Sequence, residues 1–229
     1  MLNKIKVAYL NDTMGPYHYE RLRSANKHLD CIFIEFSSHD HVNLWKPNTK
    51  EIKKKIVLFK DKSIIEQSPS DIKKKIDFTL YQNIPDVVLI SGWDSICSLL
   101  SALWCLRNGI PMIILSESQE IDFRRSFFIE FIKSQLIKLF DSAFVGGVNQ
   151  KKYLIKLGFN SSRIFKGCDI VDNSHFLKMA NDARDKADSK IMKNLGLPKR
   201  YFFTSCRLVK KKNLKFLVKA FKSFSIKNK

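Results

Sequence analysis

Short apolar runs alternate with longer amphipathic stretches along most of the chain. Residues 5–10, 31–36, 55–59, 87–90, 112–115, 143–145 and 163–165 have the length of strands. Several of these runs are apolar at successive positions, as strands covered on both faces require. Between most of them lie helical patterns, at 19–28, 71–82, 94–107, 124–140 and 149–157, and Gly109 and Gly158 stand where a helix C-terminus favours glycine. This βαβ rhythm predicts an α/β fold built on a doubly wound parallel sheet. Such sheets bind ligands beyond the carboxyl ends of their strands, so chemistry is expected in the loops at 11–18, 91–95 and 116–123.

The pattern changes near residue 172. A charged helix is expected from about 174 to 195, a stop at Gly196-Leu197-Pro198, then a strand over 201–205, a turn over 206–213 and a helix over 214–224. The expected division is an N-terminal Rossmann-like domain over 1–173, an interdomain helix and linker over 174–198, and the incomplete start of a second domain over 199–229. One strand and one helix bury too little surface to make an α/β domain, so a truncated chain is expected, from a disrupted gene or a partial reading frame.

Composition narrows the partners. With 229 residues, 45% of them hydrophobic, the chain is long enough for a substantial core. Its 41 Lys and Arg against 22 Asp and Glu leave a net charge of +19, which draws polyanions: nucleic acid, acidic lipid headgroups or phosphorylated small molecules. The five cysteines are scattered without a Cys-x-x-Cys pair, which argues against a disulfide framework or zinc knuckle and fits a reducing cytosol. The longest apolar stretch, 96–115, is broken by Arg107-Asn108-Gly109 and Pro111, and the N-terminus lacks the apolar region of a signal peptide. A cytoplasmic protein is therefore expected, at most attracted weakly to the anionic face of a membrane. His39-Asp40-His41 has no matching third and fourth ligands, so no metal site is expected. The Lys runs come without a zinc-finger or RNP pattern, so nucleic-acid binding is the alternative rather than the expectation.

The turn Cys206-Arg207-Leu208-Val209-Lys210-Lys211-Lys212-Asn213 carries the most specific chemistry. Arg207 offers a planar fork of donors, Lys212 a point charge and the helix after it free amides, a set suited to a diphosphate. From the residues alone, a solvated loop in a Lys-rich chain fits as well.

Three segments in order resemble glycosyltransferase family 4 of the GT-B fold. They are Phe140 to Gly147 with Leu157-Gly158-Phe159 and Arg163-Ile164-Phe165, then Gly167 to Phe176, then the turn just described. Arg207 and Lys212 match the family's Arg-Leu-x-x-x-Lys positions, which contact the donor diphosphate. Cys206 stands where most relatives have glycine. The family's Glu-x7-Glu segment has no counterpart, so weak or absent turnover, or a non-catalytic acceptor-binding remnant, is expected. The resemblance implies transfer of a sugar, with retention of configuration, from a nucleoside diphosphate sugar to a glycan or lipid-linked acceptor in cell-surface polysaccharide synthesis. It implies no metal, and no cofactor besides the nucleotide-sugar co-substrate.

On the N-terminal side the loop 11–18 resembles the family's glycine-bearing loop, in which Gly15 would let backbone amides approach the donor phosphates; an ordinary Gly-Pro turn is the alternative. His18 is an acid–base candidate or a helix-capping residue. Glu117 is assigned to acceptor contact, while Asp122 is read as a cleft residue or as the N-cap of a helix from 124. Trp93 forms a sugar-stacking wall or packs on the next helix. In the helix over 124–140 the pairs Phe127/Phe128, Phe131/Ile132, Leu136/Ile137 and Leu139/Phe140 form a broad apolar face. Packing on the sheet is the expectation, and entry into an anionic headgroup layer is the alternative.

Overall fold

The computed structural model describes residues 4–38, 54–60, 62–122, 126–185, 194–196, 198 and 201–227. The expected motif at His39–His41 and residues 123–125 lie outside the described residues. The chain divides into two compact units, Met1–Asn173 and Ser174–Lys229.

In the first unit the elements run β1 (Lys6–Asn11), α1 (Pro16–Ala25), β2 (Asp30–Ser37), β3 (Lys55–Phe59), α2 (Pro69–Asn83), β4 (Val87–Ser91), α3 (Ile96–Asn108), β5 (Met112–Ser116), α4 (Phe127–Ile137), β6 (Ser142–Val145), α5 (Val148–Lys156) and β7 (Ile164–Lys166). The seven strands form one sheet in the order β3-β2-β1-β4-β5-β6-β7, every neighbouring pair parallel. This is the doubly wound, Rossmann-like α/β fold expected from the sequence. The order reverses between β1 and β4, and a crevice opens at such a switch point because the flanking crossovers leave it in opposite directions.

Alternation along each strand sorts side chains between the two faces. Ala8 and Leu10 of β1, Ile32 and Ile34 of β2, and Val88 and Ile90 of β4 join the main core with residues of α2, α3 and α5. Fully buried aliphatics such as Leu10, Ile34 and Ile90 each contribute roughly 1.5–3 kcal/mol. The opposite face packs Tyr9, Cys31 and Phe33 against Tyr19 and Leu22 of α1. Ser68 and Ser95 cap α2 and α3, their side chains accepting from the backbone N–H of Asp71 and Ser98. Gly109 ends α3 in the left-handed region at φ 63°, where any Cβ would be strained.

Helix α4 bears out part of the expected apolar face, since Ile137 and, just beyond the helix, Phe140 are buried in the main core, and corrects the rest. Phe127, Phe128, Phe131 and Ile132 are exposed, while Lys133 and Ile137 are buried. The inward side is fixed by polar contacts: Lys133 Nζ donates to Glu130 Oε1 at 2.8 Å and to the Tyr153 hydroxyl at 3.1 Å, and it sits 4.8 Å from the Trp93 ring centroid.

In the second unit α6 (Asn173–Asp185) and α7 (Leu214–Lys227) flank a short 3-10 turn at Lys210–Lys212. The expected strand over 201–205 does not form. A strand exists through its neighbour's hydrogen bonds, and the described residues of this unit supply none. Phe202 instead packs its ring against Phe221 and Phe224 of α7, at 5.5 and 5.6 Å.

Candidate functional site: a polar cleft at the sheet's switch point

A cleft of about 600 Å³ opens beyond the carboxyl ends of β1, β4 and β5. Its first wall is the loop after β1. The Gly15 N–H donates to His18 Nδ1 at 2.9 Å, so the neutral ring carries its proton on Nε2, 3.2 Å from Asn11 Nδ2. His18 thereby caps α1 from within its first turn. The loop is tied down from below. Glu35, buried on β2, accepts from the Met14 N–H at 2.8 Å, and Lys55 of β3 stands 2.6 Å from its other oxygen while donating to the Tyr19 hydroxyl at 2.8 Å.

The second wall follows β4. Gly92 has φ 73°, which favours glycine in the turn that presents Trp93 and Asp94, and a Cβ there would lie 3.1 Å from the Asp94 carboxylate and push it aside. Trp93 packs against the main core with part of its surface and lines the cleft with the rest. Ser91 and Tyr9 bring their hydroxyls to 3.4 Å of each other at the floor.

The third wall holds Glu117, just past β5, and Cys168 after β7. Arg21, projecting from α1, donates to Asp169 at 2.8 Å and to the Ile170 carbonyl at 2.9 Å, and it stacks on Tyr17 with 4.9 Å to the ring centroid. It is the one Lys or Arg among the described residues lining the cleft, which also has the carboxylates of Asp12, Asp94 and Glu117.

The surroundings set the protonation states. Burial holds the Glu117 carboxyl above the usual carboxylate range, and Asp169 adds to this while Arg21 opposes it. His18 is pulled down to about 4, first by burial and then by the Arg21 charge, so its ring is neutral at pH 7. Burial pushes the Cys97 and Cys168 thiols up to about 12 and about 11. Both stay protonated at neutral pH and are not nucleophiles there. The cleft thus offers hydroxyls, three carboxylates, a neutral imidazole and a flat indole, a set that hydrogen-bonds and stacks on a polyhydroxylated ligand.

His18, Trp93 and Glu117 meet on this cleft. Gly15 does not line it, has ordinary backbone angles (φ −82°, ψ 167°) and has its N–H already engaged by His18, so glycine's special freedom is not used there. Asp122 accepts from the Gln119 N–H at 2.8 Å and closes a 3-10 turn. It does not line the cleft, nor does it cap the next helix, where Ser126 holds the N-cap position. Arg207 and Lys212 are exposed in the second unit, on and beside the 3-10 turn that ends at Asn213 with φ 48°. Arg21 was missed in the sequence; its signal was the three-residue step from His18, which puts both on one side of α1.

No protein-family model matches the chain, and no curated protein matches it. Among solved structures, UDP-N-acetylglucosamine 2-epimerase from Rickettsia bellii superposes with a TM-score of 0.53 at 20% identity, covering 86% of this chain and 52% of that one. A Listeria monocytogenes protein provisionally given the same name follows at 0.50 and 20%, covering 72% and 45%. The lipopolysaccharide outer core galactosyltransferase WaaB, at 0.47 and 17% with 70% and 44% covered, fits too loosely to carry weight. The chain spans about half the length of these structures. At such identities the likeness concerns architecture: it supports a GT-B-like fold, of which this chain holds the Rossmann-like sheet, without singling out family 4.

Proposed function

We propose that the protein handles a sugar carried on a nucleoside diphosphate, and that it is the acceptor-side part of a glycosyltransferase delivering that sugar to a glycan or lipid-linked acceptor of cell-surface polysaccharide synthesis. The observation that carries this reading is the cleft at the switch point, where Glu117, His18 and Trp93 converge among hydroxyls. Glu117, with its raised pKa, orients an acceptor hydroxyl. Neutral His18 holds the loop by accepting from the Gly15 N–H. Trp93 stacks on a sugar face. Arg207 and Lys212 neutralise charge on the leaving diphosphate, a role worth several kcal/mol where water is excluded. Transfer with retention and without a metal rests on the family resemblance.

A second reading, isomerisation of the nucleotide-sugar itself, is favoured by the names of two structures that superpose at 0.50 or above. Titration calorimetry with UDP-sugars and acceptor glycans separates the readings. On the first, Arg207→Ala/Lys212→Ala weakens UDP binding at least about tenfold, whereas Glu117→Gln leaves UDP binding intact and weakens the acceptor. Conversion of UDP-N-acetylglucosamine to its 2-epimer without acceptor selects the second. Salt-sensitive binding of random RNA with no nucleotide-sugar binding sinks both.

A further inference from the structure

A second cavity, of about 720 Å³, opens at the carboxyl end of the edge strand β3, two strands along the sheet from β1. Lys60, Lys62, Lys74 and Lys75 line it, and its one acid among the described residues is Asp71, which holds the Ser68 hydroxyl at 2.8 Å. Lys75 is held in place: its ammonium donates to the Leu58 carbonyl and lies 4.3 Å from the centroid of the Phe59 ring. Lys60, Lys62 and Lys74 are exposed and have no ion pair or side-chain hydrogen bond to any described residue. Four like charges around one cavity repel one another, and a multiply charged anion relieves that repulsion.

One short segment separates this cavity from the cleft. Lys60, Lys62 and Gln67 line the basic cavity, while Ser63, Ile64 and Ile65 line the cleft. The segment is pinned from both sides: the Ser37 hydroxyl donates to the Lys62 carbonyl at 2.6 Å, and Ser63 caps the 3-10 turn Ile64–Glu66 by accepting from the Ile65 N–H. The two cavities differ in charge. Three carboxylates stand against Arg21 in the cleft, and four ammoniums against Asp71 beyond the segment. A ligand that reaches into both is best placed with its neutral part in the cleft and its anionic part among the lysines. Nucleic acid fits less well, because bases bind by stacking on exposed rings and the one ring lining the basic cavity, Phe59, is 4% exposed.

We propose that the acceptor is an anionic glycan: the sugar to be extended lies in the cleft, and carboxylate- or phosphate-bearing units behind it lie in the lysine-lined cavity at β3. The inference rests on the reading of the cleft as an acceptor site, and adds to it the charge of the acceptor and the residues that select it.

The test is titration calorimetry of the full 229-residue chain with an oligogalacturonate and with its fully methyl-esterified form, which keeps the sugar backbone and loses the charge. The charged form is expected to bind at least about tenfold more tightly at low salt, an advantage that shrinks as salt rises. Lys60→Ala/Lys62→Ala/Lys74→Ala brings it down to the affinity of the ester, while the melting temperature stays that of the wild type because these side chains are exposed. Glu117→Gln weakens both forms by the same factor, which reports on the cleft alone. A charged form that binds the wild type no better than the ester, or an advantage that survives the triple lysine variant, overturns the inference; if Glu117→Gln still weakens the ester, the acceptor reading of the cleft stands. Indifference of both forms to Glu117→Gln, or binding of neither, takes down the acceptor reading and the inference with it. Tighter binding of an oligoadenylate of equal charge, lost in the lysine variant, makes the cavity a nucleic-acid site and also overturns the inference.

Discussion

Two Lys–Glu–Tyr clusters lie inside the first unit, one beneath the loop after β1 and one beneath α4, and they are built in opposite senses. In the first the acid is the buried member: Glu35 is 3% exposed, Lys55 23%, and Tyr19 takes a hydrogen bond from the ammonium. In the second the cation is buried: Lys133 is 7% exposed, Glu130 20%, and Tyr153 donates to the carboxylate. The spare valence goes to different ends. Glu35 uses its other oxygen to hold the Met14 N–H and so anchors the cleft loop. Lys133 uses its remaining exposure on the Trp93 ring and fixes the rotation of a helix whose outer face is apolar. A buried ion pair is weak evidence of stability, since desolvation offsets most of its attraction. These two are better understood as devices that set a loop and a helix orientation.

The sharpest way to break this contrast is to remove each acid. Glu130→Ala leaves Lys133 buried without a counter-charge and should cost about 3–5 kcal/mol in urea unfolding. Glu35→Ala leaves Lys55 near enough to water to turn outward; it loses the bond to Met14 and should cost about 2 kcal/mol. If Glu35→Ala is the more damaging of the two, the assignment of which partner is trapped is wrong. The pair also predicts different functional readouts. Glu35→Ala loosens the loop that carries His18, whereas Glu130→Ala reaches the cleft only through Trp93, so its effect on ligand binding should be confined to the stacking contact.

Lys55 adds a sign at alkaline pH. Burial alone would lower its pKa, but the bonds to Glu35 and Tyr19 outweigh burial and raise it above the ordinary 10.5. A base with a raised folded pKa stabilises fully below its unfolded pKa and loses that contribution as pH rises through the folded value. The cluster under the cleft loop is therefore expected to weaken above about pH 10.5, and Lys55→Met removes that alkaline sensitivity in thermal melts.

The sheet was legible because a strand apolar at successive positions has few other homes: residues 55–59 form a strand over the very range expected, and the other strands shift by about one residue at their ends. Helix α1 begins at Pro16, three residues before the sequence reading, because proline at the first helical position extends a helix that Gly15-Pro16 had suggested was a turn. The outward turn of Phe127, Phe128 and Phe131 on α4 was illegible for a deeper reason. Periodicity tells which positions share a face, but not which face looks inward, and Lys133 decides that through Glu130 and Tyr153, the latter 20 residues away in sequence. His18, Trp93 and Glu117 were found because strand-end loops are where a parallel sheet exposes chemistry. The engagement of the Gly15 amide was invisible, since it depends on where the His18 ring turns.

The smallest effect falls on the cleft side and tests whether His18 belongs to the anchored loop. Its folded pKa of about 4 lies below the ordinary 6.5, so the unfolded chain binds the proton more readily than the folded one. Stability is therefore undiminished above pH 6.5 and falls as pH drops from 6.5 toward 4. Integrating those two values gives a loss of less than about 1 kcal/mol between pH 7 and pH 6, growing to on the order of 2 kcal/mol by pH 5. His18→Asn keeps an acceptor for the Gly15 N–H but cannot titrate, so urea unfolding of the variant should show a shallower decline over this window. Glu130→Ala, acting on the other cluster, should leave the acid slope unchanged while lowering the whole curve. Equal slopes for wild type and His18→Asn would show that the imidazole titrates as it does in water, and that the loop does not hold it in the buried, neutral form.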